Sequence, residues 1–305
     1  MLSRKKIIIG LSVFFSLFLI WYLFLKKSDY FISFNVKAAT GTVFQGVNEW
    51  TASQTANQKE LYSLLEKNNF DYLKKEMKKG QTHLQYTWEM KPINDSITKV
   101  SVGIKDMQSS IYNRLTVPFF NTEFKKEQIK KITDLKMGID EHIKNFKIKI
   151  DGEGNSKEIF VAYISLKSVL QEKARNMIAN DADITGFLYK NKIAIIESPY
   201  LEITNWDYET ETIDFNYCFP IDKNTKIIAD DRVKFKTIPV IKGLKATYFG
   251  NFRTSDRAWF TLMDYAKRHN YKLQNKVLEH FRANPFNGGD ELSWETTIFI
   301  PFESK

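Results

Sequence analysis

The stretch Ile7–Leu25, IIIGLSVFFSLFLIWYLFL, runs for 19 residues without a charge. At about 1.5 Å per residue a helix of that length covers about 28 Å, close to the hydrocarbon thickness of a bilayer. Trp21 and Tyr22 stand near its end, as interfacial aromatics do. The run is longer than the apolar region of a signal peptide, roughly 7–15 residues, and no small-x-small cleavage site precedes Lys26. It reads as an uncleaved, single-pass cell-membrane anchor over residues 1–27, with residues 7–25 in the membrane. Arg4, Lys5 and Lys6 precede the span and only Lys26 and Lys27 follow it. That bias predicts a cytoplasmic N-terminus and C-terminal domains outside.

The formal charge of +9 is unevenly spread. Residues 1–27 carry five basic side chains and no acid, residues 28–150 carry 19 basic and 14 acidic, and residues 151–305 carry 21 basic and 22 acidic. The excess sits beside the apolar span, which suits an anionic membrane surface better than a nucleic-acid footprint. The lysine-rich stretches LKKEMKKG and EFKKEQIKK interleave acids and read as solvated faces of helices. No helix-turn-helix or ribonucleoprotein-type strand is present, so no nucleic-acid partner is expected. The single cysteine, Cys218, excludes an internal disulfide framework and a cysteine zinc cluster.

From Tyr30 the chain alternates, with Phe31, Ser33 and Asn35 on one side and Ile32, Phe34 and Val36 on the other. Val43, Phe44 and Val47 follow at helical spacing. Leu61, Leu64, Leu65 and Tyr72 predict the buried stripe of a polar helix. THLQYTWEMK and ITKVSVGIKD, joined by PIND, predict a hairpin. Ile132, Leu135, Ile139, Ile143 and Phe146 predict a long closing amphipathic helix. This is a helix-grip order, and ISFNVKAATGTVFQGVNEW resembles the start of the START-like (SRPBCC, polyketide-cyclase) superfamily over residues 28–150. The resemblance implies a sheet wrapped on the long helix around an apolar cavity; an ordinary packed core fits the same pattern.

Residues 151–156 open the polar, Gly-rich run DGEGNSK, which reads as a linker. Ser156 and Ala162 stand where a calcium loop needs Gly and Glu. Residues 157–305 then contain one unit twice. EIFVAYISL, a helix around Ala174–Ile178 and ETIDFNYCFPI are answered by IKGLKATYFG, RAWFTLMDYAK and SWETTIFIPF. The closing strands align at an offset of 81, with Phe219-Pro220 over Ile300-Pro301. Two β-α-β-β units paired about a pseudo-twofold axis leave a central groove. The predicted fold class is therefore α+β: a transmembrane helix, a helix-grip domain and a duplicated domain.

The second half is similar to the GyrI-like small-molecule-binding domain, the effector-binding domain of bacterial MerR- and AraC-type multidrug regulators. The likeness rests on Tyr248–Gly250 before a helix with Trp259, on Glu279-His280-Phe281 followed by Asn284-Pro285, and on WETTIFIPF. It implies that Glu279 lies at the groove floor among aromatics. Phe281 replaces the family's tyrosine and so lacks its hydroxyl. A carboxylate walled by aromatics stays ionised only when a cation offsets its desolvation. The resemblance thus implies a lipophilic or amphipathic cation as ligand, held at Glu279 and Phe281. Trp206, Tyr217, Trp259 and Trp294 are candidate wall residues, with Trp294 and Tyr217 in equivalent regions of the two closing strands. Trp259 also fits an ordinary helix core stripe with Leu262, Met263 and Ala266, and His280 faces away from Glu279.

No phosphate-binding glycine loop, His-Glu-x-x-His, nucleophile elbow or Cys-His pair occurs, and the four histidines, at 83, 142, 269 and 280, are scattered. No catalytic residue, metal or cofactor is assigned. The expectation is a membrane-anchored small-molecule binding or sensing protein. The alternative is a hydrolase or lipid-handling enzyme that uses the same groove or the START-like cavity.

Overall fold

The computed structural model describes residues 4–57, 60–283 and 288–303. It is a mixed α+β structure with two antiparallel sheets and one N-terminal apolar helix. The chain divides into two compact units, residues 1–140 and 141–305.

In the first unit α1 (Arg4–Ile20) continues through a π-helical turn, Trp21–Leu25. The helical stretch Lys5–Leu25 is 21 residues long, apolar enough to cross a membrane, and unburied. Next come β1 (Tyr30–Val36), α2 (Thr40–Ala56), β2 (Leu61–Asn68), β3 (Tyr72–Lys79), β4 (Thr82–Asn94), β5 (Ile97–Asp106), α3 (Ser110–Thr116) and α4 (Glu123–Ile143). The sheet order is β1-β5-β4-β3-β2. Alternation works as expected in β4, where Leu84, Tyr86, Trp88 and Met90 are buried, and in β5, where Val100, Val102 and Ile104 are. From α2 come Val43, Phe44 and Val47, and from α4 come Ile132, Leu135 and Ile139. Tyr86 stacks on Trp88 with ring centres 5.3 Å apart, and its hydroxyl donates to Gln128 Oε1 at 2.5 Å. These side chains form the buried core of the unit.

Three expectations fail here. Residues 61–68 form β2, not a helix, and Leu61, Leu64 and Leu65 are exposed. The polar turn Asn68-Asn69-Phe70-Asp71, with Phe70 at φ 30°, closes a β2–β3 hairpin whose pairing outweighs the weak helical spacing. Tyr72 and all but the last residue of LKKEMKKG, also expected to be helical, lie in β3. The long helix stops at Ile143, so Phe146 lies outside it.

The second unit begins with β6 (Phe146–Asn155), followed by β7 (Ile159–Val169), α5 (Lys173–Lys190), β8 (Tyr200–Asp207), β9 (Thr212–Pro220) and β10 (Lys234–Ile238). It continues with β11 (Lys242–Gly250), α6 (Asp256–His269), β12 (Val277–Phe281) and β13 (Glu295–Pro301). Residues 151–156, expected as a linker, lie almost wholly within β6. Gly152 at φ 86° sits at a bulge where Lys245 pairs with Gly152 and Ala246 pairs with Ile150. The glycine thus serves a twist in a paired strand.

The eight strands run in the order β10-β7-β9-β8-β12-β13-β11-β6, every neighbouring pair antiparallel. Within this sheet β7-α5-β8-β9 and β11-α6-β12-β13 are the two copies of the repeat. Register locates their axis. Leu201 pairs with Tyr217, and Glu279 pairs with Ile298, which is the residue 81 positions after Tyr217. Leu201 and Glu279 are therefore equivalent, and they also pair with each other across β8 and β12. The pseudo-twofold axis passes between them.

Gly243 on β11 is a close approach between backbones. A Cβ there would stand 2.1 Å from the Ile300 carbonyl oxygen and 2.9 Å from Pro301 Cα. Gly243→Ala is expected to destabilise the protein by about 1–3 kcal/mol, read as a lower urea midpoint, because neither backbone can yield. An unchanged midpoint would mean that the strands part without penalty.

Candidate functional site

All five residues of β12, Val-Leu-Glu-His-Phe, are buried. Strand alternation sends Val277, Glu279 and Phe281 to one face and Leu278 and His280 to the other. Leu278 joins Ile159, Val161, Tyr200, Cys218, Ile238 and Phe299 in a core cluster. His280 stacks on Tyr200 with ring centres 4.0 Å apart and meets Ser198 Oγ through Nε2 at 2.9 Å. Burial, then Arg282 and Lys157, lower its pKa to about 4.

On the other face Glu279 is 0% exposed. Trp259 Nε1 donates to its Oε1 at 2.6 Å and Ser255 Oγ donates to Oε2 at 3.0 Å. Lys173 Nζ lies 3.7 Å from Oε2 and donates to Ser255 Oγ at 2.6 Å. Ammonium, hydroxyl and carboxylate form a chain. The same ammonium sits 4.9 Å from the centre of the Trp259 ring and 3.9 Å from Asp256 Oδ1. Asp256 is held in turn by Arg257 Nη1 at 2.7 Å. Lys173 opens α5, while Ser255 and Asp256 open α6. Two helix N-termini thus converge on the carboxylate, an arrangement that favours negative charge. Burial raises the Glu279 pKa; Lys173 and the bonds from Ser255 and Trp259 pull it down.

The cation that the sequence left to a ligand is therefore supplied by the chain itself. Lys173 was not legible as a partner, since it stands 106 positions before Glu279 and at the head of a different helix.

Beside this cluster lies a cavity of about 200 Å³ lined by Met177, Ile178, Asp181, Tyr217, Phe252 and Phe281, with Ala182 and Pro199 completing it. The Tyr217 hydroxyl donates to Asp181 Oδ1 at 2.8 Å. Burial, then Asp181, push the Tyr217 phenol above its ordinary range, so it remains a donor. Phe281 meets Phe252 edge-on at 5.6 Å. The wall is apolar and aromatic with one carboxylate, and that carboxylate is Asp181.

The six expected site residues divide among three places. Phe281 and Tyr217 line the cavity. Glu279 and Trp259 form the closed cluster, with Trp206 packed against Trp259 at 5.2 Å between ring centres. Trp294 stands apart, its Nε1 donating to the Gly288 carbonyl at 2.7 Å. Tyr217 and Trp294 do not occupy equivalent positions of the repeat, because Tyr217 corresponds to Ile298 and Trp294 precedes β13. The expected Asn284-Pro285 pair lies outside the described residues. Among the described residues no group of three or more His, Cys, Asp or Glu side chains could hold a metal ion.

Comparison with known proteins places these observations in context. No family model matches the chain. No curated protein matches it either. Among solved structures, the EcmrR C-terminal domain is 16% identical, covering 52% of this chain and 99% of that one at a TM-score of 0.43. SAV2435 bound to tetraphenylphosphonium is 11% identical, covering 52% and 94% at 0.34. The di-domain ARO/CYC StfQ from the steffimycin biosynthetic pathway is 11% identical, covering 90% and 85% at 0.24. At such identities and scores a likeness carries no function over.

Breaking the buried pair on one side leaves the other charge uncompensated. Lys173→Met is expected to destabilise by about 3–5 kcal/mol. Adding Glu279→Gln, which removes the uncompensated charge and keeps an acceptor oxygen for the Trp259 N–H while its amide nitrogen donates to Ser255 Oγ, is expected to recover a large part of the loss. Additive losses in urea unfolding would disprove the coupling.

His280 gives a second test. Its folded pKa of about 4 lies below the ordinary 6.5, so its contribution is present above pH 6.5 and is lost as pH falls toward 4. His280→Gln should flatten that part of the stability profile. The His280 ring signal, assigned by its loss in His280→Gln, titrating near 6.5 in the folded protein would contradict it.

Proposed function

We propose that this chain is a membrane-anchored protein that binds a small apolar or amphipathic molecule in the cavity between α5 and the large sheet. The observation that carries the reading is the cavity's composition: Met177, Ile178, Phe252 and Phe281 offer apolar surface around a single carboxylate, Asp181. Aromatic walls with one acid select a cation over an anion, through cation–π attraction of about 0.5–2 kcal/mol per contact and direct charge pairing. A lipophilic cation is therefore the preferred ligand class. In this reading Phe281 and Tyr217 touch the ligand and Asp181 meets its charge. Glu279 stands behind Phe281 on the same strand face and fixes the two helix starts; a ligand reaching Glu279 itself would have to displace Lys173.

The domain reading that accompanies this proposal is a membrane anchor, residues 1–27, a START-like domain over 28–150 and a GyrI-like domain over 157–305. The duplicated β-α-β-β order and the carboxylate on the pseudo-twofold axis support the last of these. For the anchor, the support is the length and composition of Lys5–Leu25. The three basic residues before the span against two after it favour a cytoplasmic N-terminus.

The test is thermal stabilisation of the full chain, in detergent, by tetraphenylphosphonium and by a neutral aromatic of similar size. The cation is expected to raise the melting temperature of the wild type and of Glu279→Gln, and to lose most of its effect in Asp181→Asn. Loss in Glu279→Gln alone would move the ligand onto the axial carboxylate. Equal shifts in all three proteins, or none, would overturn the cavity as the site.

A further inference from the structure

We infer that α3 and the chain that follows it form a second membrane contact, seated in the lipid headgroup and outer hydrocarbon layer beside the N-terminal helix. The inference rests on the reading of Lys5–Leu25 as a membrane span, and its test separates the two.

The amphipathicity of α3 is inverted for a surface in water. Its buried side chains are Asn113 and Arg114, at 3% and 1% exposure. Its apolar side chains point outward, with Ile111 at 45%, Tyr112 at 63% and Leu115 at 50% exposed, and the chain beyond adds Phe119 at 79% and Phe120 at 64%. Single exposed apolar residues are ordinary, but a run of large ones marks an interaction surface.

What covers this face follows from what α3 is fastened to. Arg114 Nη1 donates to the Leu23 carbonyl at 2.8 Å and to that of Tyr22 at 3.2 Å, while Nη2 donates to the Lys26 carbonyl at 2.5 Å. Nε donates to Asp29 Oδ1 at 2.7 Å, and the Tyr22 hydroxyl donates back to the Arg114 carbonyl at 2.9 Å. The last carbonyls of an apolar helix have no partner within the helix, and here one buried guanidinium takes them. Those carbonyls fix a depth. Tyr22 and Leu23 lie two or three residues before the end of the apolar run at Leu25, about 3–5 Å inside its boundary by helical rise. The level at which α3 is held is that of the interface, where tyrosine and phenylalanine are favoured. Lys26 and Lys27 stand where the helix leaves that layer, suited to anionic headgroups. A lipid surface therefore fits the face in depth, chemistry and continuity with the helix.

The experiment uses the full chain in vesicles of phosphatidylcholine and phosphatidylglycerol. Nitroxide labels are placed on single introduced cysteines at Leu17, Tyr112, Leu115 and Phe119, and the buried Cys218 is left in place. Collision with oxygen, which concentrates in lipid, is compared with collision with a water-soluble nickel complex. Leu17 is expected to read deep, and the other three labels to read shallow but within lipid, with oxygen-to-nickel ratios several-fold above those of the same labels in lipid-free detergent-exchanged protein. Deep Leu17 with nickel-accessible labels at 112, 115 and 119 would overturn this contact and leave the anchor standing. Nickel access at Leu17 would overturn the anchor and the contact together. Labels at 112, 115 and 119 shielded from both reagents would assign the face to a protein partner or second copy and overturn the lipid assignment. Tyr112 and Leu115 lie on the helix and Phe119 beyond it, so a local disturbance at one label does not decide the outcome.

Discussion

A fully buried carboxylate is tolerable only where its surroundings replace what water supplied, and the second unit is organised around that requirement at Glu279. The register puts this residue on the pseudo-twofold axis, facing its own counterpart Leu201. Everything that compensates the charge then comes from helix starts: Lys173 from α5, Ser255 from α6, and the Trp259 N–H from the first turn of α6. Coulomb attraction in a poorly polarisable interior is strong, but so is the desolvation of both ions, and the pair gains little over apolar packing. What it supplies is position. The two helices are pinned at the one point where both copies of the repeat meet.

The asymmetry of that point decides which face of the module is open. Leu201 asks nothing of its neighbours, whereas Glu279 draws in an indole and an ammonium. Trp259 stands on α6 and Ile178 on α5, the helices of the two copies. Around α6 the space is taken by Trp259, Trp206 and Phe260, with ring centres 5.2 and 5.9 Å from Trp206. Around α5 the smaller Ile178 and Ala182 leave a cavity bounded by Tyr217 and Phe281. The two copies therefore differ in packing: indole and phenyl rings fill the α6 side, and smaller side chains leave the α5 side open.

How much of this the sequence disclosed depends on the range over which each feature is written. The hairpin of β4 and β5, the core stripe of α4 and the duplicated unit are carried by local periodicity, and the structure has them. Local reading failed where pairing with a distant strand decides the outcome. Leu61, Leu64 and Leu65 have a helical spacing but lie on an edge strand fixed by β3, and Gly152 looks like a linker glycine but serves a bulge fixed by β11. The candidate site divided the same way. Glu279 and Phe281 were visible as an acid and an aromatic on one strand face, and Tyr217 as a candidate wall residue whose face the sequence left open. Lys173 and Asp181 were not, because a charge on an amphipathic helix carries no local sign of which distant strand residue it meets.

The same physics recurs in the first unit with a different consequence. Arg114 and Asp29 are buried to 1% and 3% exposure, and the guanidinium spends its remaining donors on the final carbonyls of the apolar helix. An arginine suits this place because its planar fork reaches several acceptors at once, which a lysine cannot do. The bond set ties the helix end to α3 rather than to a flexible tether, so a span held in lipid would fix the depth of α3 as well. Buried polar residues on the inner side of a short helix force its apolar residues outward. A polar lock inside and an apolar surface outside are therefore two sides of one arrangement.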